Sequence, residues 1–227
     1  MARRLTETED RERVAKMYEI ENEKHLEGYK YIAGVDEAGR GPLAGPVYAA
    51  AVILPPDIYI PGINDSKKLS EKKRDELFDI IIEKAIAYHV ERGSLEEIEE
   101  KNILGASLAA MERAINALSV KADYALIDGN RSKGITTPCE TVVKGDAKSI
   151  SIAAASILAK VSRDREIIEM GKKYPGYGFE KHKGYGTAEH VAAIERLGIC
   201  EIHRKSFVKK ALATAAKKRQ AKQNEGN

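Results

Sequence analysis

Four acidic residues close short apolar runs: Asp36 and Glu37 after 31–35, Asp128 after 124–127, and Asp146 at the end of 141–146. In an open α/β sheet, ligands gather beyond the carboxyl ends of the strands, so three such strands would bring four carboxylates to one place. Clustered acids repel one another and hold protons unless a cation neutralises them. An all-oxygen donor set suits a hard divalent ion, Mg²⁺ or Mn²⁺. Two such ions can activate a water and stabilise the leaving oxygen of an in-line displacement at phosphorus. Taken singly, an Asp at a strand end marks only a turn. Four at the ends of neighbouring strands argue for a site. One geometric difficulty stands: successive strand residues point to opposite faces. Asp36 and Glu37 can share a site only if the strand twists or ends there, which Gly39 and Gly41 would allow.

The elements that must position these acids follow from hydrophobic patterning. Residues 31–36 and 47–54 read as strands joined by the turn segment 39–46, and so short a link makes them antiparallel neighbours. A loop with Pro55, Pro56 and Pro61 covers 55–67, and Ser70 caps a helix reaching about residue 87. A third strand spans 88–92. Ser94-Leu-Glu-Glu97 is a capping box, so a helix begins there, is interrupted at Gly105 and resumes to about 118. Strands at 124–128 and 141–146 precede a long helix at 149–170. Its small face of Ala153, Ala154, Ala155, Ser156 and Ala159 can lie close against a sheet. Thr187 caps a short helix that stops at Gly198. The expected fold is α/β: a mixed five-stranded sheet flanked by helices, with a helical C-terminal region. The organisation expected is a helical extension at 1–28 with a thin stripe of Val14, Met17, Tyr18 and Glu21 at helical spacing, a catalytic domain at 29–208, and a basic tail at 209–227.

Composition narrows the class. Of 227 residues, 43% are hydrophobic, enough for a sizeable core. No apolar run approaches the ~18 residues of a membrane span, and the N-terminus lacks the apolar core of a secretory signal. A monomeric cytoplasmic protein with no membrane association is expected. Cys139 and Cys200 form neither a CxxC pair nor a zinc spacing and read as reduced thiols in or near the core. Net charge is +3, yet residues 204–227 carry eight Lys/Arg against one acid, leaving −4 on the other 203 residues. Such a tail can release counterions from phosphates or simply be solvated. Two phosphate-binding motifs fail on context. Gly39-Arg-Gly41 starts like a dinucleotide turn, but its third glycine comes one place late and a strand follows. Gly145-Asp-Ala-Lys148-Ser149 ends like a P-loop, but Glu140 stands where its first glycine belongs.

The segment Val35-Asp-Glu-Ala-Gly-Arg-Gly-Pro42 closely resembles the signature of the ribonuclease HII family. So do Asp65-Ser-Lys-Lys-Leu69, Ile127-Asp-Gly129, Lys144-Gly-Asp146, Ser151-Ile-Ala-Ala-Ala-Ser-Ile157 with Ala159-Lys-Val161, and His182-Lys-Gly-Tyr-Gly-Thr187. Each is modest alone; together and in this order, over about residues 30 to 208, they are specific. The resemblance implies a ribonuclease H-like fold and an endonuclease acting on RNA–DNA hybrids and at ribonucleotides embedded in duplex DNA. It implies that Asp36, Glu37, Asp128 and Asp146 bind the metal, that Gly39, Arg40 and Gly41 form a backbone clamp on the ribose, and that Tyr185 reads the 2′-hydroxyl.

Elementary chemistry agrees with those roles. The 2′-OH is what separates RNA from DNA at a given sugar. Glycines let the backbone reach it, and tyrosine offers a flat ring and a hydroxyl together. Lys67 is expected to touch a phosphate, with Ser66 and Lys68 its undistinguished neighbours. Arg163, Asp164 and Arg165 read as a helix-surface ion pair, with a phosphate contact as the alternative. His182 reads as structural or substrate-side, and His25, His89, His190 and His203 show no ligand spacing. Two alternatives remain open. A ribonuclease HIII-type enzyme would carry a larger N-terminal domain than residues 1–28 provide. A hybrid-binding module without catalysis would be expected to have lost one of the acids.

Overall fold

The computed structural model describes residues 5–224. The extreme ends of the expected extension and tail, 1–4 and 225–227, lie outside the described residues.

Five strands form one sheet in the order β3-β2-β1-β4-β5. They are β1 (Ile32–Ala38), β2 (Val47–Ile53), β3 (Ala87–Gly93), β4 (Tyr124–Asp128) and β5 (Cys139–Val142). β1, β2 and β3 pair antiparallel, whereas β1, β4 and β5 run parallel. The carboxyl ends of β1, β4 and β5 therefore share one side of the molecule. This is the mixed architecture the patterning implies.

The helices cover both faces. α1 (Glu7–Lys16) and α2 (Glu19–Leu26) precede the sheet, and α3 (Glu71–Lys84) links β2 to β3. α4 (Leu95–Asn116) lies on the face built from Ala33, Val35, Ala49 and Ala51. α5 (Ile150–Lys173) lies on the other, where Ala153, Ala154, Ala155 and Ala159 are fully buried. The small face lets the helix approach closely: a Cβ added at Gly34 of β1 would strike the backbone of Ser151 and Ile152. Val14, Met17 and Tyr18 of the N-terminal segment are buried in the same core as α5. A third cluster gathers Leu43 and Ala44 with α6 (Phe179–His182), α7 (Ala188–Leu197) and α8 (Lys205–Asn224).

The expected caps are present: Ser70 accepts from Lys73 N, Ser94 and Glu97 complete a capping box, and Thr187 accepts from His190 N. Several boundaries differ from expectation. α3 stops at Lys84 because Ala87 is already paired with Ile53. The break in α4 falls at Asn102, not Gly105. Asn102 takes a left-handed φ of 59°, and its side-chain oxygen accepts from Leu104 N and Gly105 N at 3.0 and 3.2 Å. With a ψ of 170° the backbone is outside the left-handed helical region, and the side-chain bonds cap the next helical turn in compensation. β5 ends at Val142, so Asp146 is not on a strand. Lys144 is left-handed, and Gly145–Ala147 forms a 3₁₀ turn. Among the described residues, no helix is long and apolar enough to cross a membrane.

Candidate active site

Asp36 is buried on the α5 face of β1, where the Glu37 amide donates to its carboxylate at 2.7 Å. Glu37 is half-buried on the opposite face, 3.2 Å from the Arg40 guanidinium. The strand neither ends nor reverses at this pair; it continues to Ala38, with Asp36 opposite Ala50 and Glu37 opposite Ala49. Asp128 links the two sides from the end of the neighbouring parallel strand. It lines a cleft with Glu37, Arg40 and Arg131, and its Oδ1 accepts from Gly145 N at 2.7 Å. That bond stitches the Asp146 turn to the end of β4. Asp146 is buried, and Lys67 Nζ lies 3.3 Å from its Oδ2.

The electrostatics report one connected cluster. Burial first, then Glu37 and Asp128, hold the Asp36 carboxyl well above the usual carboxylate range. Burial also raises Glu37, against Arg40, with Asp128 adding to the rise. Burial raises Asp146, against Lys67, with Asp65 and Asp128 adding. Asp128 thus acts on all three other acids. Each is an oxygen donor whose charged form is disfavoured without a cation, which is the chemistry a hard divalent ion satisfies. Among the described residues, no three Asp, Glu, His or Cys side chains form a ready-made metal cage.

Next to the acids, Arg40 and Gly41 are exposed, and a Cβ on Gly41 would lie 3.8 Å from the Tyr185 ring. Tyr185 is 41% exposed, with Lys160 Nζ 5.4 Å from its ring centre. The loop and the turn are tied by Leu43 N donating to Gly184 O at 2.8 Å. Lys67, expected at a phosphate, is exposed and paired with Asp146. Beside it, Ser66 is buried and bonds Ser156 at 2.9 Å.

His182, His190 and His203 are buried and hydrogen-bond within the fold. Gly184 N donates to His182 Nδ1, so the Nε2–H of His182 donates to Tyr177 O at 2.8 Å. Cys200 N donates to His203 Nδ1, so the Nε2–H of His203 donates to His190 Nε2 at 3.1 Å. His190 Nδ1–H in turn donates to Tyr185 O at 2.9 Å. This arrangement requires neutral rings; burial pulls His190 down to about 4 and lowers His203 as well.

Three further charged groups are buried where the sequence does not announce it. Arg163 is not part of a surface ion pair. It is fully buried, as is Arg204, and both bind backbone carbonyls. An arginine within a charged helical stretch looks exposed until the loop folded over it is known. Glu21 is also buried, beneath the start of α5. Only its helical spacing with Val14, Met17 and Tyr18 hints at that place.

A mixed sheet of this order, with α5 crossing one face and acids at the ends of its central strands, is the ribonuclease H-like architecture. Residues 33–210 match the ribonuclease HII family. The chain is 55% identical over 203 residues to a ribonuclease HII of Clostridioides difficile, covering 89% of this chain and 80% of that one. It is 58% identical over 176 residues to a ribonuclease HII of Dechloromonas aromatica, covering 78% and 90%. Among solved structures, the ribonuclease H2 of Pyrococcus horikoshii aligns with a TM-score of 0.65 at 28% identity, covering 80% of this chain and 97% of that one. A ribonuclease HIII in complex with Mn²⁺ shares the fold, with a TM-score of 0.57 at 19% identity over 82% of this chain and 70% of that one. The chain belongs to the ribonuclease HII family, endonucleases that cleave RNA in RNA–DNA hybrids.

Proposed function

We propose that the chain also cuts the phosphodiester 5′ to a single ribonucleotide embedded in duplex DNA, leaving a 3′-hydroxyl and a 5′-phosphate. It would thereby serve ribonucleotide removal in DNA replication and repair, acting as a cytoplasmic monomer. The observation that carries this reading is the electrostatic coupling of Asp128 to Asp36, Glu37 and Asp146 beside the Gly39–Gly41 loop and Tyr185. Asp36, Glu37, Asp128 and Asp146 would hold Mg²⁺ or Mn²⁺, with two ions accommodated. When bound, such ions lower the pKa of water and offset the charge that builds on phosphorus and the leaving oxygen.

The chain's own residues do the rest. The Glu37 amide fixes the Asp36 carboxylate, and Gly145 N fixes that of Asp128. Lys67 supplies a mobile positive charge that can leave Asp146 for a substrate phosphate. The Gly39–Gly41 backbone approaches the sugar, and the Tyr185 ring and hydroxyl distinguish ribose from deoxyribose by the 2′-OH. The test is a duplex carrying one ribonucleotide, incubated with Mg²⁺ or Mn²⁺ beside an all-DNA twin. Cleavage on the 5′ side of the ribonucleotide alone is expected. Equal cutting of both duplexes, or binding without product, would refute the reading.

A further inference from the structure

Arg163 and Arg204 are the two largest fully buried side chains described, at 0% and 1% exposure. Burying a guanidinium is costly unless every N–H finds a partner, and the usual partner is a carboxylate. These two bind backbone carbonyls instead. Arg204 donates from Nε to Gly45 O (2.8 Å), from Nη1 to Arg40 O (3.1 Å) and from Nη2 to Gly39 O (2.6 Å). Arg163 Nη2 donates to Ala44 O (3.2 Å) and Lys183 O (3.0 Å). Among the described residues, the one acid within ion-pair distance is Asp164, 3.5 Å from Arg163 Nη1, while Nε and Nη1 of Arg163 have no hydrogen-bond partner.

The accepting carbonyls belong to the segment that would meet the ribose and to the turn that carries Tyr185. In a trans peptide the C=O and the following N–H point in opposite directions. Drawing the Gly39 carbonyl inward turns the Arg40 N–H outward, and drawing the Arg40 carbonyl inward does the same for the Gly41 N–H. Among the described residues, neither N–H meets a backbone acceptor, and both residues are exposed. Gly39 has a φ of +96°, and a Cβ there would collide with the Arg163 side chain, so the loop rests directly on the guanidinium. Arg163 also lies 5.7 Å from the Tyr185 ring centre, bridging loop and turn from beneath. A guanidinium spreads its donors over a rigid planar fork that reaches carbonyls set apart from one another, whereas the three donors of a lysine ammonium radiate from one compact point on a flexible stem. Burial and then Arg163 push Arg204 down to about 9, which leaves it charged at neutral pH.

We infer that Arg163 and Arg204 form a buried guanidinium clamp that presents the Arg40 and Gly41 N–H groups and sets their spacing from Tyr185. They are positioning residues for ribonucleotide discrimination. This rests on the reading of that loop and Tyr185 as the ribose-sensing surface.

The test is Arg204→Lys, with kcat/KM measured on a duplex bearing one ribonucleotide. The Ki of the all-DNA twin as competitor and the thermal midpoint are measured alongside. The clamp predicts that kcat/KM falls about tenfold, the loss of roughly one well-aligned hydrogen bond, while the Ki of the twin is unchanged. A folded variant that keeps kcat/KM, or one whose Ki weakens in the same proportion, overturns the inference. If Arg204→Lys does not fold, Arg163→Lys gives the same comparison with Arg204 in place. Tyr185→Phe separates the two levels of the reading. If it lowers kcat/KM and the arginine variants do not, the ribose-sensing surface stands and the clamp falls. If wild type treats both duplexes alike, the surface itself is refuted.

Discussion

Replacing Glu21 with alanine should unfasten the front of α5. The Glu21 carboxylate is 3% exposed, and its Oε1 accepts from Ser149 Oγ (2.6 Å), Ser151 Oγ (2.6 Å) and Ser151 N (3.0 Å). Ile150 N donates to Met17 O at 3.0 Å. Two N–H groups that a helix leaves without partners at its start are thus satisfied by residues from before β1. A carboxylate at that end also meets the positive end of the helix dipole. Hydrogen bonds to a charged group are worth about 1.5–3 kcal/mol each. Three that share one oxygen do not add fully, and the buried carboxylate carries its own desolvation cost. The expected loss is about 3–5 kcal/mol, a large part of a domain's ~5–15 kcal/mol. The Asp146 turn leads directly into this helix, so kcat should fall with stability. Glu21→Gln keeps the acceptor but puts an amide where Oε2 has no partner, so it should cost less, about 1–2 kcal/mol. Urea unfolding followed by circular dichroism, with kcat measured in parallel, checks both. A loss below about 1 kcal/mol in Glu21→Ala with unchanged kcat would refute the reasoning.

Gly34→Ala should cost about 3 kcal/mol or more, because its Cβ meets α5 backbone and not a side chain that can move aside; a wild-type thermal midpoint would contradict that contact. His190 is held neutral down to about 4 against an ordinary 6.5, so the unfolded chain takes up a proton first as pH falls. Stability should therefore drop across that window by up to about 3 kcal/mol and level off below it. His190→Asn should flatten the dependence, and an unchanged slope in urea midpoints between pH 4.5 and 7.5 would count against it. Asp36→Asn in EDTA should raise stability by about 1 kcal/mol, since it removes a buried acid repelled by Glu37 and Asp128; a lower unfolding midpoint would contradict the repulsion.

Much of the sheet was readable because its signals are local. Apolar runs ending in acids marked β1 and β4, and Ser70, Ser94 and Thr187 marked helix starts by side-chain chemistry alone. The break in α4 was misplaced because glycine is the stronger general helix breaker, while here Asn102 both adopts a left-handed φ and caps the next turn. Asp146 was assigned to a strand because Val142 and Val143 extend the apolar run, yet Lys144-Gly145 turns the chain. The opposed faces of Asp36 and Glu37 were foreseen as a difficulty. The strand does hold them on opposed faces, with Asp128 acting electrostatically on both. Arg163, Arg204 and Glu21 were illegible for a common reason. Their partners, mostly backbone groups and serine hydroxyls, lie from about 20 to 165 positions away, and nothing in local pattern announces such contacts.

The most direct test of the account is cleavage of a duplex with one embedded ribonucleotide by wild type and Asp36→Asn, in Mg²⁺ and in EDTA. The account predicts a single cut 5′ to the ribonucleotide by wild type in Mg²⁺, none in EDTA, and none by the folded variant. Undiminished cutting by Asp36→Asn, or equal cutting of the all-DNA twin, would contradict it.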